Sequence, residues 1–597
     1  MVTSTELTAQ DVAWDLEPLL PESGEAGVLT LLEQADALAD ELSAKRGQVA
    51  SFDADALVAF MQKSAELSEA IGRAGSYASL RFATDTTDAA RGALMQKVRE
   101  RATVIATKVL FFELEWAALD DAQADALLAD ERLSFAAHHL RSARRYRPHL
   151  LSEPEEVVLA EKEVTGASAF ERLFEEQVSS IMVSIDGETL PLDAGLARLQ
   201  SPDRDARRTT AEAITESLLP GLRTRGFVFN TLLADKAVDD RLRRFPSWVA
   251  SRNLDNEASD ESVQALVDAV QGRYDIPQRW YRLKAGLLGI DRLADYDRLA
   301  PLDTRDSEIG WNDARDLVLD AYGSFSPELA GVAQRFFDEP WIDAPARPGK
   351  RPGAFCAYTV PSHHPYVMLN WTSRRRDVLT LAHELGHGAH AYLAREQGVF
   401  HQGTPLTLAE TASVFGETVT FGRLLSETSD PEGRLALLAS NLEDQIATVF
   451  RQIAMNRFED AVHNARRDEG EISIEQFGDL WYQTQHAMLG DAVELTDGYR
   501  NWWSYIPHFM ATPGYVYAYA YGQLLALSVY ARYEEHGPDF VSQYLDLLRA
   551  GGSKTPQELG ELVDVDLADP GFWDAGLAII DRRLAQTEEA ARAAGRM

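Results

Sequence analysis

Cysteine is nearly absent from this 597-residue chain: Cys356 stands alone. A single thiol excludes any intrachain disulfide and fits a reducing compartment better than an oxidising one. Basic residues are scarce beside acidic ones, 58 Lys and Arg against 94 Asp and Glu, for a net charge of −36. A chain of that sign repels phosphate backbones and anionic lipid surfaces, so neither nucleic acid nor a membrane is an expected partner. It also contains no apolar run of about 18 residues, the length a membrane span needs. The opening stretch MVTSTELTAQDVAWDLEPLL has neither the basic region nor the apolar region of a secretory signal. The location these absences imply is cytoplasmic.

What is present is the composition of a folded protein, 45% apolar and 25% charged, close to the averages for globular domains. From about Gly27 to Gln177 the chain is mostly amphipathic helical pattern rich in Ala, Leu and Glu, and a helix-period pattern runs again from Asp203 to about Leu287. Between them, MVSIDGETLPL (Met182–Leu192) places apolar residues around Asp186-Gly187, a dipeptide suited to a tight hairpin turn. A second β island, GAFCAYTVPSHHPYVMLNW (Gly353–Trp371), has two short aromatic and β-branched runs around a Pro-Ser-His-His-Pro connection. After Asp377 the pattern is helical. The expected class is mainly α with small antiparallel β elements, divided into an N-terminal helical region over 1–200 and a second region over 201–597.

The chemistry concentrates in TLAHELGHGAHAYL (Thr380–Leu393). His383-Glu384-Leu385-Gly386-His387 is an HExxH pattern, whose i, i+4 spacing lets two imidazoles converge on one zinc ion, with Glu384 placed to act on a metal-bound water. His390 is a less suitable third ligand, because it lies about 10.5 Å along the helix axis from His383 while zinc–nitrogen bonds are about 2.1 Å. A packing role is expected for it. Glu396 is too far along the same helix to converge. A carboxylate from elsewhere must complete the site. Thr404-Pro405 resembles the start of a helix reading LTLAETASVFGETVTFGRLL, which offers Glu410 and Glu417 on one face. Simple antiparallel-hairpin geometry slightly prefers Glu417, and spacing alone leaves the choice open.

Five motifs in order extend this pattern: Gly349-Lys350-Arg351-Pro352-Gly353-Ala354-Phe355, then Leu369-Asn370, then His383 to His390, then Ala409-Glu410-Thr411-Ala412-Ser413 with Glu417, then Pro507-His508-Phe509 followed by Tyr515, Tyr517, Tyr519 and Tyr521. Together they resemble the oligoendopeptidase F branch of the thimet oligopeptidase family of zinc metallopeptidases. The resemblance implies two helical halves around a deep substrate channel. It assigns the third zinc ligand to Glu410, leaving Glu417 to orient a ligand imidazole. It implies that His508 and Tyr515 donate hydrogen bonds to the scissile carbonyl as it becomes an oxyanion, with Tyr519, one turn further on the same helical face, a candidate substrate-binding residue. Met510-Ala511-Thr512-Pro513-Gly514 is less aromatic than the family pattern, which leaves open which tyrosine faces substrate.

Tyr366–Asn370 is read as an exposed edge strand, able to pair with an extended peptide through backbone hydrogen bonds with little sequence preference. Gly353, Leu369 and Asn370 are therefore candidate substrate-binding residues. Gly353 and Gly514 suit places of close backbone approach. The expected activity is zinc-dependent endopeptidase cleavage of short unstructured peptides, with His383, His387 and Glu410 holding one zinc ion per chain and Glu384 as general base. The alternatives are a dipeptidyl carboxypeptidase-type exopeptidase, which needs a cation for the terminal carboxylate, and a non-catalytic peptide-binding protein on the same fold.

Overall fold

The structure is a computed structural model and describes residues 8–163, 165–302 and 308–597. Helices dominate. Near the N-terminus come α1 (Glu25–Ser43), α2 (Ala54–Ala83) and α3 (Ala89–Val109), followed later by the hairpin β1 (Met182–Ile185) and β2 (Glu188–Pro191) and by α4 (Leu222–Arg243). The second β island forms with β3 (Ile342–Pro345), β4 (Phe355–Ala357) and β5 (Tyr366–Trp371). It leads into α5 (Arg375–Ala394), then α6 (Ser413–Glu427), α7 (Gln452–Asp468) and α8 (Tyr517–His536). Among the described residues no helix is long and apolar enough to cross a membrane.

Packing divides the chain into two compact units, each assembled from three segments: Met1–Arg147, Asp306–Leu424 and Arg532–Val565 in one, Pro148–Arg305, Leu425–Ala531 and Asp566–Met597 in the other. This differs from the contiguous division at residue 200. Periodicity reports local elements, whereas a packing unit is set by which apolar faces meet, and those faces come from distant parts of the chain.

In the first unit α2 begins where the Asp53 carboxylate accepts the Ala56 N–H, a cap worth about 1 kcal/mol. Its apolar face, including Leu57, Phe60 and Met61, is buried with Leu31, Leu32 and Trp116 in one core. In the second unit Phe229 of α4 stacks on Phe477 and Trp503, with ring centroids 5.0 and 5.8 Å away.

The β1–β2 hairpin is antiparallel as the sequence predicts, with Ile185 opposite Glu188 and both turn residues at positive φ, Asp186 at 52° and Gly187 at 83°. The second sheet departs from expectation. Its order is β3-β5-β4, so Tyr366–Trp371 is the middle strand and not an edge. Its residues Tyr366–Leu369 and Trp371 are buried, as a strand flanked on both sides requires. It pairs parallel with β3 (Ile342 opposite Val367) and antiparallel with β4 (Cys356 opposite Val367). The strand missed is Ile-Asp-Ala-Pro, whose Asp and Pro are poor strand formers. The edge beside the histidine helix belongs to β4.

Candidate active site

Helix α5 is anchored by buried Val378, Leu381, Ala382, Leu385 and Ala389, which fixes the direction of its histidine face. His383 and His387 sit one turn apart, with ring centroids 4.9 Å apart. The segment opposite is not the continuous helix expected. A short turn over Leu406–Ala409 ends at Glu410, and α6 starts at Ser413. Gly386 explains how this break reaches the histidines: a Cβ there would lie 2.6 Å from Ser413 Cα and collide with the Ala412 carbonyl oxygen. Glycine between the two histidines therefore admits the backbone that carries Glu410. Hairpin geometry favours Glu417 only for an unbroken helix.

Glu410 Oε2 lies 3.3 Å from His383 Nε2 and 3.5 Å from His387 Nε2. The Ser413 hydroxyl donates to the same oxygen at 2.6 Å. One ligand atom from each of His383, His387 and Glu410 falls within 4.8 Å of the others, making this a group that could hold a metal ion. Glu417 is on the far side of the first imidazole, where its Oε2 accepts from His383 Nδ1 at 3.2 Å. That bond selects the tautomer whose Nε2 faces Glu410. Two imidazoles and one carboxylate with converging lone pairs are a zinc donor set that leaves a coordination position for water or substrate. The donor residues fit the ion.

Electrostatics agree with cation binding. Burial opposes ionisation of Glu410, but the His383 hydrogen bond and the histidine charges hold its carboxyl down, to about 2. Burial pushes His387 down to about 4. For His383 burial is outweighed by the hydrogen bonds to Glu410 and Glu417, which raise it to about 10. The cluster thus attracts positive charge between two carboxylates. Glu384 is buried, and burial raises its carboxyl to about 7, against the opposing charge of His383 and with the added repulsion of Glu410. The Cys356 backbone N–H of β4 donates to it.

A cavity of about 380 Å³ opens beside these groups, lined by Phe355, Cys356, Tyr358, Glu384, His387 and Thr404 among others. The strand β4 is one wall of it. His390 lies outside the metal group, buried, with its ring held neutral, pushed down to about 3 by burial. Glu396 follows in the turn Arg395–Gln397 and is not part of the group either.

The remaining motif residues build this wall. Lys350 is buried and donates to the Asp343 carboxylate, the Asp343 carbonyl (3.1 Å) and the Pro345 carbonyl (2.9 Å), tying the approach to β4 onto β3. Asn370 donates to the carbonyls of Arg351 (2.9 Å) and Gly353 (2.7 Å). Leu369 is buried. So Leu369 and Asn370 support the β4 wall from the middle strand. Gly353 has φ of 84°, and a Cβ added to it would meet nothing of the chain within 4 Å, so backbone conformation is what favours glycine there.

In the other unit, His508 starts a short helix and Gly514 (φ 73°) bends the chain before α8. The Glu459 carboxylate accepts the Gly514 N–H at 2.9 Å. Side-chain atoms of Val249 and Arg252 come within 3.3 Å of where a Gly514 Cβ would be, so the neighbours there are side chains and not the close backbone expected. Tyr519 OH is 3.4 Å from His508 Nε2, and the Tyr515 ring is 5.1 Å from that of Tyr519 and 6.1 Å from His508. Burial, with the charge of Arg451, lowers the His508 pKa, which favours the neutral ring. Tyr517 and Tyr521 point the other way. They are fully buried, Tyr517 between Asn253 and Asn256 and Tyr521 against Ser262. The tyrosine train therefore splits into a half-buried pair, Tyr515 and Tyr519, and a buried pair.

The chain matches peptidase family M3 over residues 328–579 and the oligopeptidase F family over residues 115–182. It is 26% identical to oligopeptidase PepF of Bacillus subtilis over 98% of this chain and 88% of that one. It is 27% identical to group B oligopeptidase PepB of Streptococcus agalactiae over 88% of each. The fold is shared with a solved structure from Chlamydophila abortus, TM-score 0.87 at 22% identity over 98% of this chain and 99% of that one. It is also shared with oligoendopeptidase-F from Enterococcus faecium, TM-score 0.72 at 22% identity over 95% and 98%. The chain belongs to peptidase family M3, in its oligoendopeptidase F branch.

Proposed function

We propose that the chain is a zinc-dependent oligoendopeptidase that hydrolyses internal bonds of short, unstructured peptides in the cytoplasm. The observation that carries this reading is the convergence of His383, His387 and Glu410 beside a buried Glu384, at the open edge of β4. His383, His387 and Glu410 would hold the zinc ion, which would supply Lewis acidity toward the scissile carbonyl and the attacking water at neutral pH. The residues of the chain do the rest. An extended peptide pairs with the free edge of β4, the strand held in place by Asn370 and Leu369 behind it and by the Gly353 turn before it. Backbone pairing of this kind admits many sequences but only unfolded ones. Glu384 takes the proton from the attacking water and returns it to the leaving amine, a task suited to a carboxyl whose burial keeps it basic. His508 and Tyr515, with Tyr519 beside them, donate hydrogen bonds to the carbonyl oxygen as negative charge develops on it. Glu417 keeps the His383 ring in the metal-facing tautomer.

Digestion of a peptide library followed by mass spectrometry tests the reading. Internal cuts abolished by a chelator and restored by zinc are expected. Release of C-terminal dipeptides alone would replace it with the exopeptidase reading, and zinc binding without cleavage would replace it with a non-catalytic one.

A further inference from the structure

Tyr358 lines the same cavity as Glu384 and His387, yet no sequence motif singles it out. It follows the last residue of β4, and among the described residues no hydrogen bond is made by its hydroxyl. Three charged groups beside it have partners: Glu410 has Ser413, His383 has Glu417, and Glu384 has the Cys356 N–H.

The backbone around Tyr358 is built to aim it. Thr359, a β-branched residue, sits at φ of 60°, a left-handed conformation that such side chains avoid and that persists when the surroundings impose it. Its hydroxyl donates to the His364 carbonyl at 2.9 Å, closing the connection between β4 and β5. The next residue, Val360, is buried and packs so tightly against α2 that a Cβ on Gly72 would lie 2.6 Å from its Cγ1. The His364 ring stacks on Trp341 at 4.0 Å. The turn is therefore held from three sides, and the side chain before it has little freedom to leave the cavity. A tyrosine phenol carries its proton near neutral pH, so it can act as a donor.

We propose that the Tyr358 hydroxyl is a hydrogen-bond donor to the reacting peptide group, contributed from the same unit as the metal ligands. This rests on the peptidase reading above. It adds a catalytic residue to the two donors expected from the other unit, and it places one donor next to Glu384 irrespective of how His508 and Tyr515 are positioned.

The test compares Tyr358→Phe with Tyr358→Leu in the zinc-loaded full chain, using a quenched fluorescent peptide and a phosphinic peptide whose tetrahedral P–O group stands in for the oxyanion. A donor used in the transition state predicts that Tyr358→Phe lowers kcat/KM on the order of 10²-fold, with KM and zinc content near wild type. It also predicts weakened binding of the phosphinic peptide by a similar factor, and nothing further lost to hydrogen bonding in Tyr358→Leu. Full activity in Tyr358→Phe with impairment confined to Tyr358→Leu would overturn the proposal, since the ring alone would matter. A rise in KM alone would overturn it as well. A wild-type enzyme that cleaves no peptide would indict the peptidase reading itself, whereas wild-type cleavage retained in full by Tyr358→Phe leaves that reading intact and removes Tyr358 from it.

Discussion

His383 is held at both ring nitrogens, by Glu410 at 3.3 Å and by Glu417 at 3.2 Å, whereas among the described residues the His508 ring makes one long hydrogen-bond contact, 3.4 Å to the Tyr519 hydroxyl. The metal-facing residues are preorganised inside one packing unit by glycine-mediated backbone contact and paired carboxylates. The proposed oxyanion donors are fixed mainly by ring packing. A metal site must converge before its ion arrives, because ligands held out of place lose affinity steeply. Donors to a developing charge need their final geometry only in the transition state, and their hydrogen bonds are often long without substrate.

The largest effect that follows belongs to Glu410→Ala. Removing a ligand leaves two imidazoles, and loss of both bound zinc and peptide turnover is expected when metal content and kinetics are measured on the same preparation. Full zinc occupancy in this variant would break the contrast at its stronger end.

Next are Tyr515→Phe and Tyr519→Phe. At least one should lower kcat on the order of 10²-fold, the low end for a lost oxyanion donor, with zinc content unchanged and KM little affected. Steady-state kinetics on a quenched fluorescent peptide separates the two. A rise in KM with kcat preserved would mean that these hydroxyls merely hold the peptide. Smaller again is Glu417→Ala, which should weaken zinc binding by about 10–100-fold, as loss of a partner to a ligand imidazole does. Competition with a chromogenic chelator measures it, and equal damage from Glu417→Ala and Glu410→Ala would show that the two glutamates share the ligand role.

Legibility in the sequence follows the same contrast. HExxH spacing places two imidazoles on one helix face by helical period alone, and the Asp186-Gly187 hairpin follows from local backbone preference. The choice between Glu410 and Glu417 is not legible from spacing, because it depends on a helix break that Gly386 makes sterically possible from the facing helix. The edge strand is misplaced for a related reason: β3 is separated from β5 by β4 and is poor in strand formers, so nothing local marks the parallel pairing that makes β5 central. Tyr358 carries no motif at all. Its significance comes from a turn at Thr359 that only the tertiary contacts impose.

The smallest effect on activity, and the sharpest check on the tyrosine train, is expected from Tyr517→Phe. Helical period puts Tyr517 about half a turn away from Tyr519, and its hydroxyl accepts from Asn256 Nδ2 at 2.9 Å and donates to Asn253 Oδ1 at 2.8 Å. All three groups are buried. The phenylalanine variant fills the same space but removes the hydroxyl that bridges the two buried amides, a loss of roughly 1–3 kcal/mol. The variant should therefore unfold at lower urea concentration than wild type while kcat and zinc content stay unchanged. Tyr515→Phe and Tyr519→Phe should do the reverse, since both side chains are only half-buried. Urea titration followed by tryptophan fluorescence, beside the same peptide kinetics, compares the three. A fall in kcat for Tyr517→Phe as large as for its neighbours would mean that the buried asparagine pair controls the donors, and that the division of the train into a chemical face and a structural face is wrong.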